Sequence, residues 1–262
     1  MNASYNNSII HQQETSGTIL WLSGWSMPDS VFDRLRVLLP DFHHTSVDYS
    51  DADSPEKILH LTETAAKKFL SLDATTCNAT SYNGPLLIAG WSLGGLLALR
   101  LAGKGLVDGL VLFSATAQFT RSKAETDRGW ADVYVRQMIT GLVKDRKVVE
   151  TNFRQLLFTE QEWESGLGES LPPIGSWTTP ALITGLEILR SEECLSQLPV
   201  IHCPVLLIHG IEDKICPYSA ALEMIDQMPQ AELLTIPGCG HAPFLGREAL
   251  ITEKLRRWWH ER

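Results

Sequence analysis

The sequence has no run of about 18 consecutive apolar residues, the length a membrane-crossing helix needs, so no membrane span is expected. It is short of basic side chains: 22 Lys and Arg stand against 31 Asp and Glu, for a net charge of -9. That balance argues against a nucleic-acid binder, which needs a basic face. Cysteine is sparse, with five residues (Cys77, Cys194, Cys203, Cys216, Cys239) that are scattered and nowhere form a C-x-x-C pair. The opening stretch, "MNASYNNSIIHQQETSG", lacks Lys and Arg and has no long apolar core, unlike a secretory signal. The expectation is a cytoplasmic protein with reduced cysteines. The Asn-x-Ser/Thr triplets at Asn2, Asn6 and Asn78 then carry little weight. No internal repeat is present.

What remains is ordinary globular material: 262 residues, 44% hydrophobic and 20% charged, enough to bury a sizeable core. "TILWLSG", "PLLIAG", "VDGLVLFSA", "CPVLLIHG" and "AELLTIPG" are short, continuous apolar runs with the content of buried strands, and "FHHTSVD" suggests one more. Between them lie helical patterns. "PDSVFDRLRVLLP" keeps helical spacing between prolines, and "SPEKILHLTETAAKKFLSL" opens with Ser54 at the N-cap and Pro55 at the first helical position. "LGGLLALRLAG" follows the third run directly, and further helices are expected from Pro217 and near Phe244. Strands that alternate with helices and are apolar throughout indicate an α/β fold with a mostly parallel sheet covered on both faces. Residues 118–193 carry helical patterning and no strand-like run, which suggests a helical cap inserted into a core of residues 18–117 and 194–262. Residues 1–17 read as a tail, and "DATTCNATSYNG" as a loop.

Gly90-Trp91-Ser92-Leu93-Gly94 fits G-x-S-x-G. A chance match in a chain of this composition has a probability of roughly 0.1, so the context matters. A buried strand runs into the motif and a helix runs out, the setting in which a sharp turn lifts a serine hydroxyl above a sheet. A plain strand-to-helix loop with a capping serine is the alternative. A serine needs a base to take its proton, and the base needs an orienting acid, which in this setting follow in the order Ser, acid, His. Asp213 lies just past the run ending at Gly210, with Glu212 as its rival and a helix-capping carboxylate as its other reading. His241 follows a strand and a glycine-rich turn in "TIPGCGHAPF". His209 falls within a strand, and the adjacent His43 and His44 point opposite ways, a weak metal pair. The oxyanion donors expected are the backbone N–H groups of Leu93, after the serine, and Trp25, in the loop "WLSGWSMP".

On "GWSLGGLLA", the "GWS" of that loop, "GLEIL" at 185–189 and "GHAPF", the chain resembles the α/β-hydrolases over most of residues 18 to 260. Within them it is similar to the pimeloyl-[acyl-carrier protein] methyl ester esterases of biotin synthesis. The resemblance implies an α/β-hydrolase fold with a helical cap and a serine carboxylesterase acting through Ser92, Asp213 and His241, with no metal or organic cofactor. It also implies a substrate displayed on an acidic acyl carrier protein, and therefore a basic docking face. Residues 120–160 hold eight Lys and Arg against six Asp and Glu, and Arg121, Arg128, Arg146, Lys147 and Arg154 are the docking candidates, against the alternative of a solvated, salt-laced helix. Trp25, Trp91 and Met138 are the candidate acyl-pocket residues, each equally readable as packing. Three features depart from the family pattern: "DYSDADSPEK" lacks the expected glycine-rich turn, the tail is long, and the loop from Cys77 to Gly84 looks inserted. The other readings are a general small-ester hydrolase or lactonase, a menaquinone-pathway lyase, and a hydrolase fold kept as a non-catalytic scaffold.

Overall fold

A computed structural model describes residues 16–70 and 84–262. Of the tail it describes only residues 16 and 17, and the expected loop around Cys77 and Asn78 lies outside the described residues, save Gly84. In chain order the elements are β1 (Thr18–Leu22), α1 (Asp33–Val37), β2 (His43–Ser46), α2 (Pro55–Leu70), β3 (Leu86–Trp91), α3 (Leu93–Gly103) and β4 (Gly109–Phe113). Then come β5 (Thr120–Arg121), β6 (Trp130–Ala131), α4 (Asp132–Gln155), α5 (Glu160–Glu164) and α6 (Thr179–Ser191). The chain closes with β7 (Val205–Gly210), α7 (Tyr218–Gln227), β8 (Ala231–Ile236) and α8 (Glu248–His260).

Six strands form one parallel sheet in the order β2-β1-β3-β4-β7-β8. β1, β3, β4 and β7 are buried at every position, which is why their sequences are continuous apolar runs rather than alternating ones. β2 at one edge is only half-buried, and its "HHTS" is correspondingly polar. The register pairs Leu22 with Gly90, Trp91 with Phe113, Phe113 with Ile208 and Gly210 with Ile236. All carboxyl ends therefore open on one edge. The strand order reverses between β1 and β3, the place where ligands gather in open parallel sheets.

The chain leaves this sheet after β4 and returns before β7. At the base of the excursion Gln118 and Glu193 form a β-bridge, and the Cys194 N–H donates to the Ala117 carbonyl at 2.8 Å. The excursion is mainly helical but not wholly so. β5 and β6 pair as a two-stranded ribbon, where no strand was expected. Phe119 and Trp130, whose rings lie 5.4 Å apart, fasten it, and two-residue strands are too short to show periodicity. The last helix starts at Glu248 rather than near Phe244. Phe244 is buried against Phe32, Trp91 and Phe113 in a tight turn, and Gly246 at φ 71° ends that turn before the helix can begin.

Candidate active site

Among the described residues, the three non-glycine residues with positive φ are all serines, and each lies just past a strand at the carboxyl edge. They are Ser26 (φ 63°) after β1, Ser92 (φ 55°) after β3 and Ser114 (φ 43°) after β4. A backbone held in this region stores about 1–3 kcal/mol per residue, and such strain concentrates at functional sites. Glycines make the Ser92 turn possible. A Cβ on Gly90 would run into the Gly94 backbone, and one on Gly94 would strike the Leu22 carbonyl oxygen of β1. The turn delivers Ser92, 6% exposed, to the start of α3, and its carbonyl accepts from the Gly95 and Leu96 amides.

Asp213 follows β7 and His241 follows β8, so parallel strands bring residues 28 apart onto one edge. His241 Nδ1 lies 2.8 Å from Asp213 Oδ2, with neither side chain exposed. The other carboxylate oxygen, Oδ1, accepts from the Ile215 and Cys216 amides at 2.8 and 2.9 Å. Asp213 thus caps its own loop and faces the imidazole at once, while Glu212 points to solvent. Burial pushes the Asp213 carboxyl up, but the His241 charge and hydrogen bond, His209 and the backbone donors outweigh it, holding the pKa below the ordinary value. A carboxylate can only accept, so Nδ1 carries the hydrogen and Nε2 presents a lone pair. Nε2 is buried and has no hydrogen-bond partner among the described residues.

His241 is anchored from both sides. Its N–H donates to the Leu157 carbonyl at 2.7 Å, and its own carbonyl accepts from Trp91 Nε1 at 2.7 Å. Trp91, the residue before Ser92, therefore ties the serine turn to the histidine loop. A second imidazole, His209, lies 3.4 Å from Asp213 Oδ2 and donates from Nε2 to the Cys216 carbonyl at 2.8 Å. Burial lowers its pKa, with Asp213 pulling the other way. The sequence puts His209 within a strand and gives no sign of a link to the acid, although Asp213 stands only four residues on.

The expected oxyanion donors flank the serine. The Leu93 N–H opens α3, whose first amides have no acceptor within the helix. The loop carrying Trp25 lies against the serine turn: a Cβ on Gly24 would come within 3.1 Å of the Trp91 ring and 3.5 Å of the Ser92 Cβ. The Trp25 ring is 1% exposed, packs edge-on against Phe153 at 4.8 Å, and donates from Nε1 to the Leu182 carbonyl at 2.7 Å.

A cavity of about 630 Å³ opens between α4 and the β5–β6 ribbon, lined by Trp130, Tyr134, Met138, Val149, Phe153 and Leu156 among others. Met138 is among its lining residues. Trp25 and Trp91 are not: both are 1% exposed and spent on packing and hydrogen bonds. The cavity does not include Ser92, but two of its walls adjoin the site, since Phe153 touches Trp25 and Leu156 precedes the Leu157 that holds His241. Lys214, next to Asp213, stands on its rim.

Most of the expected docking cations are not available to a partner. The Arg121 side chain is 1% exposed and, with Arg128, grips the Glu223 carboxylate of α7. Arg154 is buried, bonded to the Pro172 carbonyl and 3.9 Å from the Met27 sulfur. Arg146 binds Glu150 at 2.7 Å. Lys147 alone of the five is exposed. The even spacing of Arg146, Glu150 and Arg154 marks an inward face: α4 breaks at Asp145 (φ -152°, ψ 89°), and beyond the break Glu150 and Arg154 meet Ser26 and Met27 of the loop after β1. Among the described residues no group of three His, Cys, Asp or Glu is arranged to hold a metal, and no helix is long and apolar enough to cross a membrane.

Residues 19–253 match the model of the alpha/beta hydrolase family. The pimeloyl-[acyl-carrier protein] methyl ester esterase of Nitrosomonas europaea is 32% identical over 88% of this chain and 92% of its own length. Its namesake from Xanthomonas oryzae is 30% identical over 92% of this chain and 94% of that protein. Among solved structures, an esterase from Exiguobacterium antarcticum superposes with a TM-score of 0.74 at 21% identity, covering 94% of this chain and 92% of that one.

Proposed function

The chain belongs to the alpha/beta hydrolase family and is a carboxylic ester hydrolase, and we propose that Ser92 is its nucleophile, His241 its base and Asp213 the acid that orients the base. The observation that carries this assignment is the buried Asp213–His241 pair, whose geometry leaves Nε2 as a free acceptor one loop from a strained serine. Ser92 attacks the ester carbonyl while Nε2 takes its proton. The charge that develops on the carbonyl oxygen is met by the Leu93 and Trp25 amides. His241 then hands the proton to the leaving alcohol, and water, activated by the same nitrogen, releases the acid from the acyl-enzyme.

The substrate in this reading is the methyl ester of a pimeloyl chain carried on acyl carrier protein, in the cytoplasm. The names of the 30–32% identical relatives support it, as does a mainly apolar cavity large enough for a medium acyl chain. The residues 118–193 act as the cap that supplies this cavity. An acidic carrier would meet the exposed Lys144 and Lys147 beside the kink of α4. Two measurements test the assignment. A fluorophosphonate should label Ser92 and nothing else, with Ser92→Ala inactive on p-nitrophenyl esters; labelling elsewhere refutes it. Expression in a strain lacking the biotin-pathway esterase should restore growth without biotin, and failure despite esterase activity would point to a general small-ester hydrolase.

A further inference from the structure

Three consecutive residues of the loop after β1 are each held by one turn of α4. Trp25 packs on Phe153, the Ser26 hydroxyl donates to Glu150 Oε1 at 2.5 Å, and the Met27 sulfur faces Arg154. The middle contact is the unusual one. Glu150 has no exposure, and its second oxygen is taken by Arg146 Nε at 2.7 Å. Placing an ion pair where an apolar side chain would pack costs stability more often than it adds it, so its value lies in geometry. Its partner, Ser26, is fully buried and sits at φ 63°, a conformation that glycine adopts freely and serine resists.

We propose that Glu150 and Ser26 are positioning residues for ester hydrolysis: the carboxylate holds Ser26 in its left-handed conformation and thereby aims the preceding Trp25 amide at the oxygen of the bound ester. The proposal rests on Trp25 being an oxyanion donor, as assigned above. Rotating Ser26 out of the left-handed region would turn the Trp25–Ser26 peptide and displace Trp25, and Gly24, with no Cβ, would let the Gly24–Trp25 peptide that carries the donor N–H follow. The backbone resists only through the turn hydrogen bond from the Met27 N–H to the Gly24 carbonyl at 3.2 Å, and the hydroxyl tie reinforces it. Arg146 completes the device, because an uncompensated carboxylate near a developing oxyanion would oppose it. The donor geometry is thus set from the inserted helix, 124 residues away in sequence, and not by the sheet alone.

The decisive variant is Ser26→Gly, which keeps the left-handed conformation accessible and removes only the tie. Steady-state turnover of p-nitrophenyl butyrate by the full-length chain should show kcat lower by about tenfold, a fraction of the 10²–10³ that a missing oxyanion donor costs, with KM within about twofold. Ser26→Ala should do the same. Glu150→Gln, which keeps an acceptor for the hydroxyl, should lose less than Ser26→Gly, and adding it to Ser26→Ala should lower kcat little further, since both act through the same contact. Both serine variants retaining wild-type kcat would overturn the proposal, as would a fall in kcat matched by a rise in KM and a lower melting temperature. Fluorophosphonate labelling of the wild type separates this from the underlying assignment. If Ser92 is labelled and the serine variants turn over normally, only the positioning role falls; if Ser92 is unlabelled, both fall.

Discussion

His241 Nδ1 and Asp213 Oδ2 stand 2.8 Å apart with no solvent reaching either side chain. In such surroundings the hydrogen bond fixes both the ring's orientation and its tautomer, and the free nitrogen is left with a single task. Asp213→Asn keeps the shape of this contact but can donate its amide hydrogen to Nδ1, which moves the ring proton to Nε2. The expected outcome is a fall in kcat of about 10³–10⁴-fold with KM little changed, read from initial rates on a p-nitrophenyl ester. A loss of less than tenfold would remove Asp213 from the mechanism.

His209 makes stability depend on pH. Burial lowers its pKa below 6.5 in the folded chain, so the unfolded chain takes up a proton there first. The contribution is therefore complete above about pH 6.5 and is lost as pH falls toward the folded-state value. His209→Gln keeps a donor for the Cys216 carbonyl and removes the titration. The urea midpoint of the variant should change less than that of the wild type between about pH 7 and pH 5. Parallel pH profiles would count against it.

The cavity lined by Met138 and Tyr134 sets acyl length under the proposed function. Met138→Trp should fill part of its 630 Å³ and lower kcat/KM for a six- or seven-carbon ester by about tenfold, while p-nitrophenyl acetate stays within about twofold. Equal losses on both esters would mean that the acyl chain lies elsewhere.

Glu223 holds the excursion to α7 through two arginines, one of them buried. Glu223→Ala leaves Arg121 without its carboxylate and should destabilise the protein by about 2 kcal/mol, visible as a lower urea midpoint. An unchanged midpoint would show that the excursion is held by its apolar contacts alone.

Lys144→Glu combined with Lys147→Glu should slow turnover of a carrier-linked ester by about tenfold at low salt and leave a small free ester unaffected. A matching loss on the free ester would dismiss these lysines as a docking face.

The fold class was legible because a parallel strand covered on both faces is apolar almost throughout, and the four fully buried strands, β1, β3, β4 and β7, are such runs. The order Ser92, Asp213, His241 was legible for a related reason: each follows a strand, and parallel strands deliver whatever follows them to the same edge. The esterase class was legible in "GWSLGG" and "GHAPF", and the family match bears it out. Two of the five docking candidates, Arg121 and Arg154, are buried. Charge counted along a sequence carries no direction, and nothing local announces that α4 breaks at Asp145 and turns Arg154 inward.

The sequence by itself thus determined the sheet, the sharp turn at Ser92 and the chemical types at its edge, because these follow from patterns a few residues long. Only the tertiary structure decided which carboxylate meets His241, that His209 stands behind it, and that Glu150 reaches Ser26. Those contacts join segments up to 124 residues apart, and they exist only once packing has removed the water that would otherwise compete for every one of their hydrogen bonds.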